Sequence, residues 1–133
     1  MILVESSVLI DFLRGRKTAA VLRLRQIEVD GTPFGIPIPC FQEVLQGACN
    51  EGEWRRLERN LGAQVLVEAA DLREAHRSAA RIFFDLRRRG LTVRSSVDCL
   101  VAQIALERDD VLLHDDADFD VIAKVRPLRT IRA

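Results

Sequence analysis

A chain of 133 residues, 48% hydrophobic and 30% charged, suits one domain with one core, since a domain of that size buries roughly two thirds of its unfolded surface without staples. The hydrophobic share, with only four prolines and seven glycines, argues against disorder, and no apolar run approaches the roughly 20 residues a membrane span needs. Twenty acidic residues balance twenty basic ones, so no global field draws a polyanion to the surface and any such ligand must be held locally. The start lacks a basic stretch followed by an apolar run and a small-residue cleavage site, so a cytoplasmic location is expected. Arginine supplies 18 of the basic residues, against Lys17 and Lys124 alone; guanidinium forks suit phosphate oxygens, and coding-base composition produces the same bias. Cys40, Cys49 and Cys99 form no CxxC pair and read as reduced, core-filling thiols, and His76 and His114 are too few to suggest zinc.

In chain order, Met1–Val4 reads as a buried strand that ends on Glu5 and, after Ser6 and Ser7, feeds a helix bearing Val8, Leu9, Phe12 and Leu13. Gly15 breaks that pattern. Thr18–Val29 predicts a second helix with Ala19, Leu22, Ile27 and Val29 apolar, and Phe34–Ile38 a short strand, with Pro39 placed to open a helix over Cys40–Cys49 that carries Glu43 in its first turn. A helix from Glu51 to about Asn60 stops at Gly62, and Gln64–Val67 reads as a third strand. Asp71–Arg89 is the longest periodic segment, with Leu72, Ala75, Ala79, Ile82, Phe83 and Leu86 on one face and Gly90 beyond its end. Ser95 or Ser96 caps the next helix, Val97–Glu107, with Asp98 in its first turn. Val111–Leu113 is a fourth strand, His114–Asp118 an acidic loop, Phe119–Val125 a short helix and Leu128–Ile131 a last strand. Short apolar strands alternating with helices predict an α/β fold whose mostly parallel sheet is covered on both faces.

Glu5, Glu43, Asp98 and Asp116 fall at comparable places, just past a strand or at a helix start, where an α/β sheet opens its ligand crevice. Singly, each has a bland explanation, because an acid at a helix start complements the dipole. The run Asp115, Asp116, Asp118 and Asp120 is harder to explain so, since like charges this close repel unless a cation, water or a helix terminus compensates. Brought to one edge, these acids would form an all-oxygen site selecting Mg²⁺ or Mn²⁺, ions that polarise phosphate and activate water for phosphodiester hydrolysis. Spacing alone does not bring them together. A phosphate-accepting receiver domain also has acids at strand ends, but it expects paired acids after the first strand and a lysine late in the sheet. Here only Glu5 stands at that strand end, and Lys124 falls on the last helix.

Four segments, LVESSVLIDFL at the start, QEVLQG around Glu43, SSVDCLVAQIA around Asp98 and LLHDDADFDVIA around Asp116, closely resemble in order and spacing the motifs of PIN-domain ribonucleases, the VapC-type toxins in particular. The resemblance covers residues 1–133 as a single domain. It implies a three-layer α/β/α fold, Mg²⁺-dependent endonucleolytic cleavage of RNA, and as partners a second copy of the chain and a small VapB-type antitoxin. Carried over by residue, Glu43, Asp98 and Asp116 match the family's metal-binding acids, Asp118 a supporting acid, and Ser7 a hydroxyl that orients a ligand or contacts a metal-bound water. Glu5 takes the place of the remaining acid and departs from the pattern, which has Asp. One more methylene misplaces the carboxylate by about 1 Å, enough to cost on the order of a hundredfold in rate, so an attenuated nuclease is expected. A binding module that has lost catalysis through Glu5 is the alternative.

Arg14, Arg87, Arg88, Arg89 and Arg94 are candidates to grip RNA phosphates, against the reading that they are solvated helix ends. For Ser6 and Ser7 the structural reading is a helix N-cap; for His114, a strand-end histidine rather than a general base. Of Trp54 and the pair Phe83 and Phe84, one of each kind is expected to fill the core, while exposed aromatics at the helix pair would suit a dimer surface or a groove for an antitoxin helix.

Overall fold

A computed structural model describes residues 1–132. Its elements are β1 (Ile2–Val4), α1 (Ser6–Leu13), α2 (Ala19–Val29), β2 (Phe34–Pro37), α3 (Ile38–Leu45), α4 (Glu51–Gly62), β3 (Leu66–Val67), α5 (Leu72–Arg88), α6 (Ser96–Arg108), β4 (Val111–Leu113), α7 (Ala117–Ile122) and β5 (Thr130–Ile131). The five strands form one sheet in the order β3-β2-β1-β4-β5, and every pairing is parallel. In the central pair Ile2, Leu3 and Val4 lie opposite Val111, Leu112 and Leu113. Strands buried on both faces need no alternation, and Leu3, Val4, Ile36, Leu112 and Leu113 are all fully buried. The result is a three-layer α/β/α architecture, as the motif resemblance implies.

Helices close over the sheet through narrow apolar stripes. Ala75, Ala79, Ile82 and Leu86 of α5 are buried, and α5 packs most extensively against α6, which contributes Val101, Ala102, Ile104 and Ala105. The outer members of two predicted stripes fail: Leu22 and Val29 of α2 are exposed, because the buried face is Ala20, Val21, Leu24 and Ile27, and Leu72 of α5 lies in solvent. Trp54 is also exposed, since α4 needs only Leu57 and Leu61 to reach the core; Phe83 packs partly against the core while Phe84 is exposed. Cys40 and Cys99 are buried, as expected of core thiols, but Cys49 lies on the surface. Gly35 is sterically required, since a Cβ there would stand 2.8 Å from the Val67 side chain where β2 and β3 meet.

Several boundaries differ from expectation. Pro37 caps α3, Ile38 starts it and Pro39 takes the next position, so Glu43 falls in its second turn rather than its first, and α3 ends at Leu45 rather than Cys49. The acidic loop is shorter than predicted: α7 begins at Ala117 and takes Asp118 and Asp120 into its first turn. It closes at Ile122. The third and last strands shrink to two residues each.

Candidate active site

In the order β3-β2-β1-β4-β5 the chain direction of build-up reverses between β1 and β4, and such a switch point opens a crevice outside the carboxyl ends of the strands. Glu5 follows β1 directly, and its N–H donates to Leu113 O at 3.0 Å, extending the β1–β4 pairing. His114, Asp115 and Asp116 follow β4. Asp98 stands in the first turn of α6, capped by Ser95, and Glu43 projects from α3, the helix that follows β2. Sequentially distant acids thus converge on one edge.

Asp98, Asp116 and Asp118 form its centre, each offering an oxygen such that all three lie within 4.8 Å of one another. Asp116 is the N-cap of α7, its Oδ1 accepting from Asp118 N at 2.9 Å, which fixes the spacing of the two acids. Asp118 Oδ2 accepts the Arg94 N–H at 2.9 Å, and Arg94 Nη2 donates to Asp116 Oδ1 at 2.9 Å. Asp98 is held well above the usual carboxylate range, first by burial, then by its hydrogen bond with Asp118 and the charges of Asp116, Glu5 and Asp118.

Glu5 and Glu43 flank this trio and are not members of it. Glu43 Oε1 accepts from Ser6 Oγ at 2.9 Å. Glu5 turns its carboxylate back onto its own helix, where Oε2 accepts from Ser7 N at 3.0 Å and from the Ser7 hydroxyl. Glu5 is therefore the N-cap of α1, and Ser6 and Ser7, expected to cap, are the helix's first residues. Ser7 Oγ also accepts from Asp115 N at 3.0 Å, tying the β1–α1 turn to the β4–α7 loop. Burial pushes Glu5 up to about 7 against the pull of the Ser7 hydrogen bonds, with Asp116 and Glu43 adding to the rise.

His114 is fully buried, and burial holds its pKa below the usual histidine value. Its Nδ1 accepts from Asp116 N at 3.2 Å, so the proton of the neutral ring sits on Nε2, which has no hydrogen-bond partner among the described residues and lies 3.8 Å from Asp120 Oδ1. The ring packs on Phe119 with centroids 5.1 Å apart. Its contact to the Asp116 backbone and the Ser6–Glu43 bond both escape sequence reasoning, since nothing local marks either. Of the candidate phosphate-gripping arginines only Arg94 reaches the acids. Arg87 and Arg88 lie over the Phe83 and Phe84 rings, Arg89 donates to the Lys124 carbonyl, and Arg14 shares a crevice of about 310 Å³ with Glu43 between α1 and α4.

Carboxylate oxygen is the whole donor set at the centre, with no histidine or cysteine in it, and that chemistry suits a hard divalent ion such as Mg²⁺ or Mn²⁺ better than zinc. The PIN-domain family model matches residues 2–125. The chain belongs to the PIN-domain family. This PIN domain is 32% identical over 130 residues to a VapC ribonuclease of Mycobacterium bovis, a match covering 97% of the chain and 96% of that protein. It matches ribonuclease VapC11 of Mycobacterium tuberculosis to the same extent. Among solved structures, VapBC2 of Rickettsia felis, bound to a DNA fragment from its promoter, superposes with a TM-score of 0.74 at 15% identity over 98% of each chain, a likeness of fold. The resemblance carried by the four motifs is thus borne out over nearly the whole length.

Proposed function

We propose that this PIN domain is a divalent-metal-dependent endoribonuclease and the toxin of a toxin–antitoxin pair. The observation that carries the reading is the group Asp98, Asp116 and Asp118, with oxygens within 4.8 Å of one another at the switch point of the sheet, in a chain whose full-length relatives are named as ribonucleases. These three acids would hold the ion, with Glu5 and Glu43 beside them. Bound there, Mg²⁺ or Mn²⁺ supplies Lewis-acid polarisation of a phosphate oxygen and lowers the pKa of water. The protein's own contribution is placement. Asp116 is set by the His114 and Asp118 contacts, Asp118 by the Arg94 backbone, and Asp98 by burial at the start of α6. Ser7 holds Glu5 and the Asp115 backbone in one frame.

Glu5 attenuates turnover in this reading, because its carboxylate is committed to Ser7 and capping rather than to the trio. That same commitment favours the second reading, a binding module that retains antitoxin or RNA binding without catalysis. In both, the partners are RNA, a small VapB-type antitoxin and a second copy of the chain, and the setting is the cytoplasm. Incubating the purified protein with total RNA and Mg²⁺, with EDTA and Asp98→Ala as controls and Glu5→Asp alongside, separates them. Cleavage is expected with Mg²⁺ alone and faster with Glu5→Asp; cleavage that survives both controls removes the metal-nuclease reading, and none by either protein favours the binding module.

A further inference from the structure

Arg94 stands in the connector between α5 and α6, and its side chain is 79% exposed, yet it is anchored on the acidic trio. Nη2 donates to Asp116 Oδ1 at 2.9 Å, and Nε lies 3.7 Å from Asp118 Oδ2, the oxygen that also accepts the Arg94 backbone N–H. Arg132, at the same acidic segment, pairs with Asp115 and Asp120 rather than with the trio, and Arg87, Arg88 and Arg89 lie over phenylalanine rings or donate to a backbone carbonyl. Three carboxylates this close repel one another, and Arg94 is the cation that meets two of them. A guanidinium forks onto carboxylate and phosphate oxygens by the same geometry, so it can exchange one for the other without rebuilding its surroundings. Because the backbone N–H holds Asp118 independently of the side chain, the guanidinium can leave while the acids stay in position.

We propose that Arg94 is the resident counter-cation of the acid cluster: it occupies Asp116 and Asp118 when no divalent ion is bound, competes with the ion for them, and on release grips a phosphate of RNA at the same edge. This rests on the metal-nuclease reading and singles out one arginine within it. An ion entering the trio must displace the guanidinium, so the side chain lowers ion affinity while raising RNA affinity. A merely structural arginine would not move the two in opposite directions.

The test titrates Mn²⁺ into the metal-free full chain without RNA, following free Mn²⁺ by electron paramagnetic resonance. Arg94→Ala should tighten Mn²⁺ binding by about fivefold, the scale of one lost solvent-screened competitor, with Arg94→Lys intermediate and Arg77→Ala unchanged. At saturating Mn²⁺, Arg94→Ala should weaken binding of a labelled RNA oligonucleotide severalfold by fluorescence anisotropy. Unchanged or weaker Mn²⁺ binding by Arg94→Ala overturns the competition, and unchanged RNA affinity overturns the phosphate contact. Asp98→Ala in the same titration keeps the two readings apart. If it abolishes Mn²⁺ binding while Arg94→Ala has no effect, the ion site stands and the role of Arg94 falls; if the unsubstituted chain binds no Mn²⁺, both fall.

Discussion

Replacing Glu5 by Gln should make the domain more stable, and increasingly so as the pH rises. Glu5 is 3% exposed and titrates at about 7 in the folded chain, through burial first and then the Asp116 and Glu43 charges, against an ordinary value of 4.5. The folded state therefore holds this proton more tightly than the unfolded state does. Stability from that proton is complete below about pH 4 and is lost as the pH climbs through 7; the gap corresponds to ~3 kcal/mol at 1.36 kcal/mol per pH unit. Glutamine retains an oxygen to accept from Ser7 N–H and hydroxyl but has no proton to give up. Glu5→Gln should match the parent near pH 4.5 and exceed it by up to ~3 kcal/mol at pH 8, or roughly 10 °C in Tm for a domain of this size. Thermal unfolding by far-ultraviolet circular dichroism across that range, in EDTA, reads the difference directly. A difference in Tm that is the same at pH 4.5 and pH 8 would refute the argument that the buried carboxylate pays to ionise.

Asp98, also raised by burial and its acidic neighbours, has the same sign, so Asp98→Asn should raise Tm above neutral pH in EDTA and abolish the upward shift that millimolar Mn²⁺ gives the parent; a shift that persists would place the ion elsewhere. His114→Asn, whose amide oxygen stands where Nδ1 accepts the Asp116 N–H, should keep Mn²⁺ affinity closer to the parent than His114→Gln, which presents its amide at the Nε2 position; equal losses would remove that contact from the site. Asp109→Val puts a β-branched residue at φ 53° and should cost about 1–2 kcal/mol in urea unfolding, while Asp109→Gly should not; equal effects would mean the turn carries no strain.

The fold was legible because its signals are local. Apolar runs such as Ile2–Val4 and Val111–Leu113 mark strands buried on both faces, and Asp71, Ser95 and Gly90 bracket α5 and α6 where caps and stops belong. Glu43 lands one turn later than expected because a proline can cap as well as open a helix: Pro37 does the first, displacing Pro39 inward. Glu5 does not read as a cap in the sequence because Ser, Thr, Asp and Asn usually fill that role, and two serines stand next to it. What the sequence could not supply is which groups touch across long separations. The Ser6–Glu43 bond spans 37 residues and the Arg94–Asp116 pair 22, and no periodicity encodes either. Trp54 shows the converse, a large apolar residue left outside because α4 packs on α3 and reaches the core through Leu57 and Leu61 alone.

The left-handed Asp109 that ends α6 sends the chain straight back into β4, with Asp110 N–H closing the turn on Ala105 O. Asp98 and Asp116 therefore sit at the open ends of a helix–strand hairpin, like the tips of a caliper whose jaw is set by the length of α6. Adding one residue within the helix would advance Asp98 by about 1.5 Å and swing it by about 100° around the axis, out of reach of its partners. Connectors such as the Gly47–Asn50 segment impose no such gauge. Natural variants and engineered ones should thus accept insertions freely there, while keeping the count between Asp98 and Asp116 fixed.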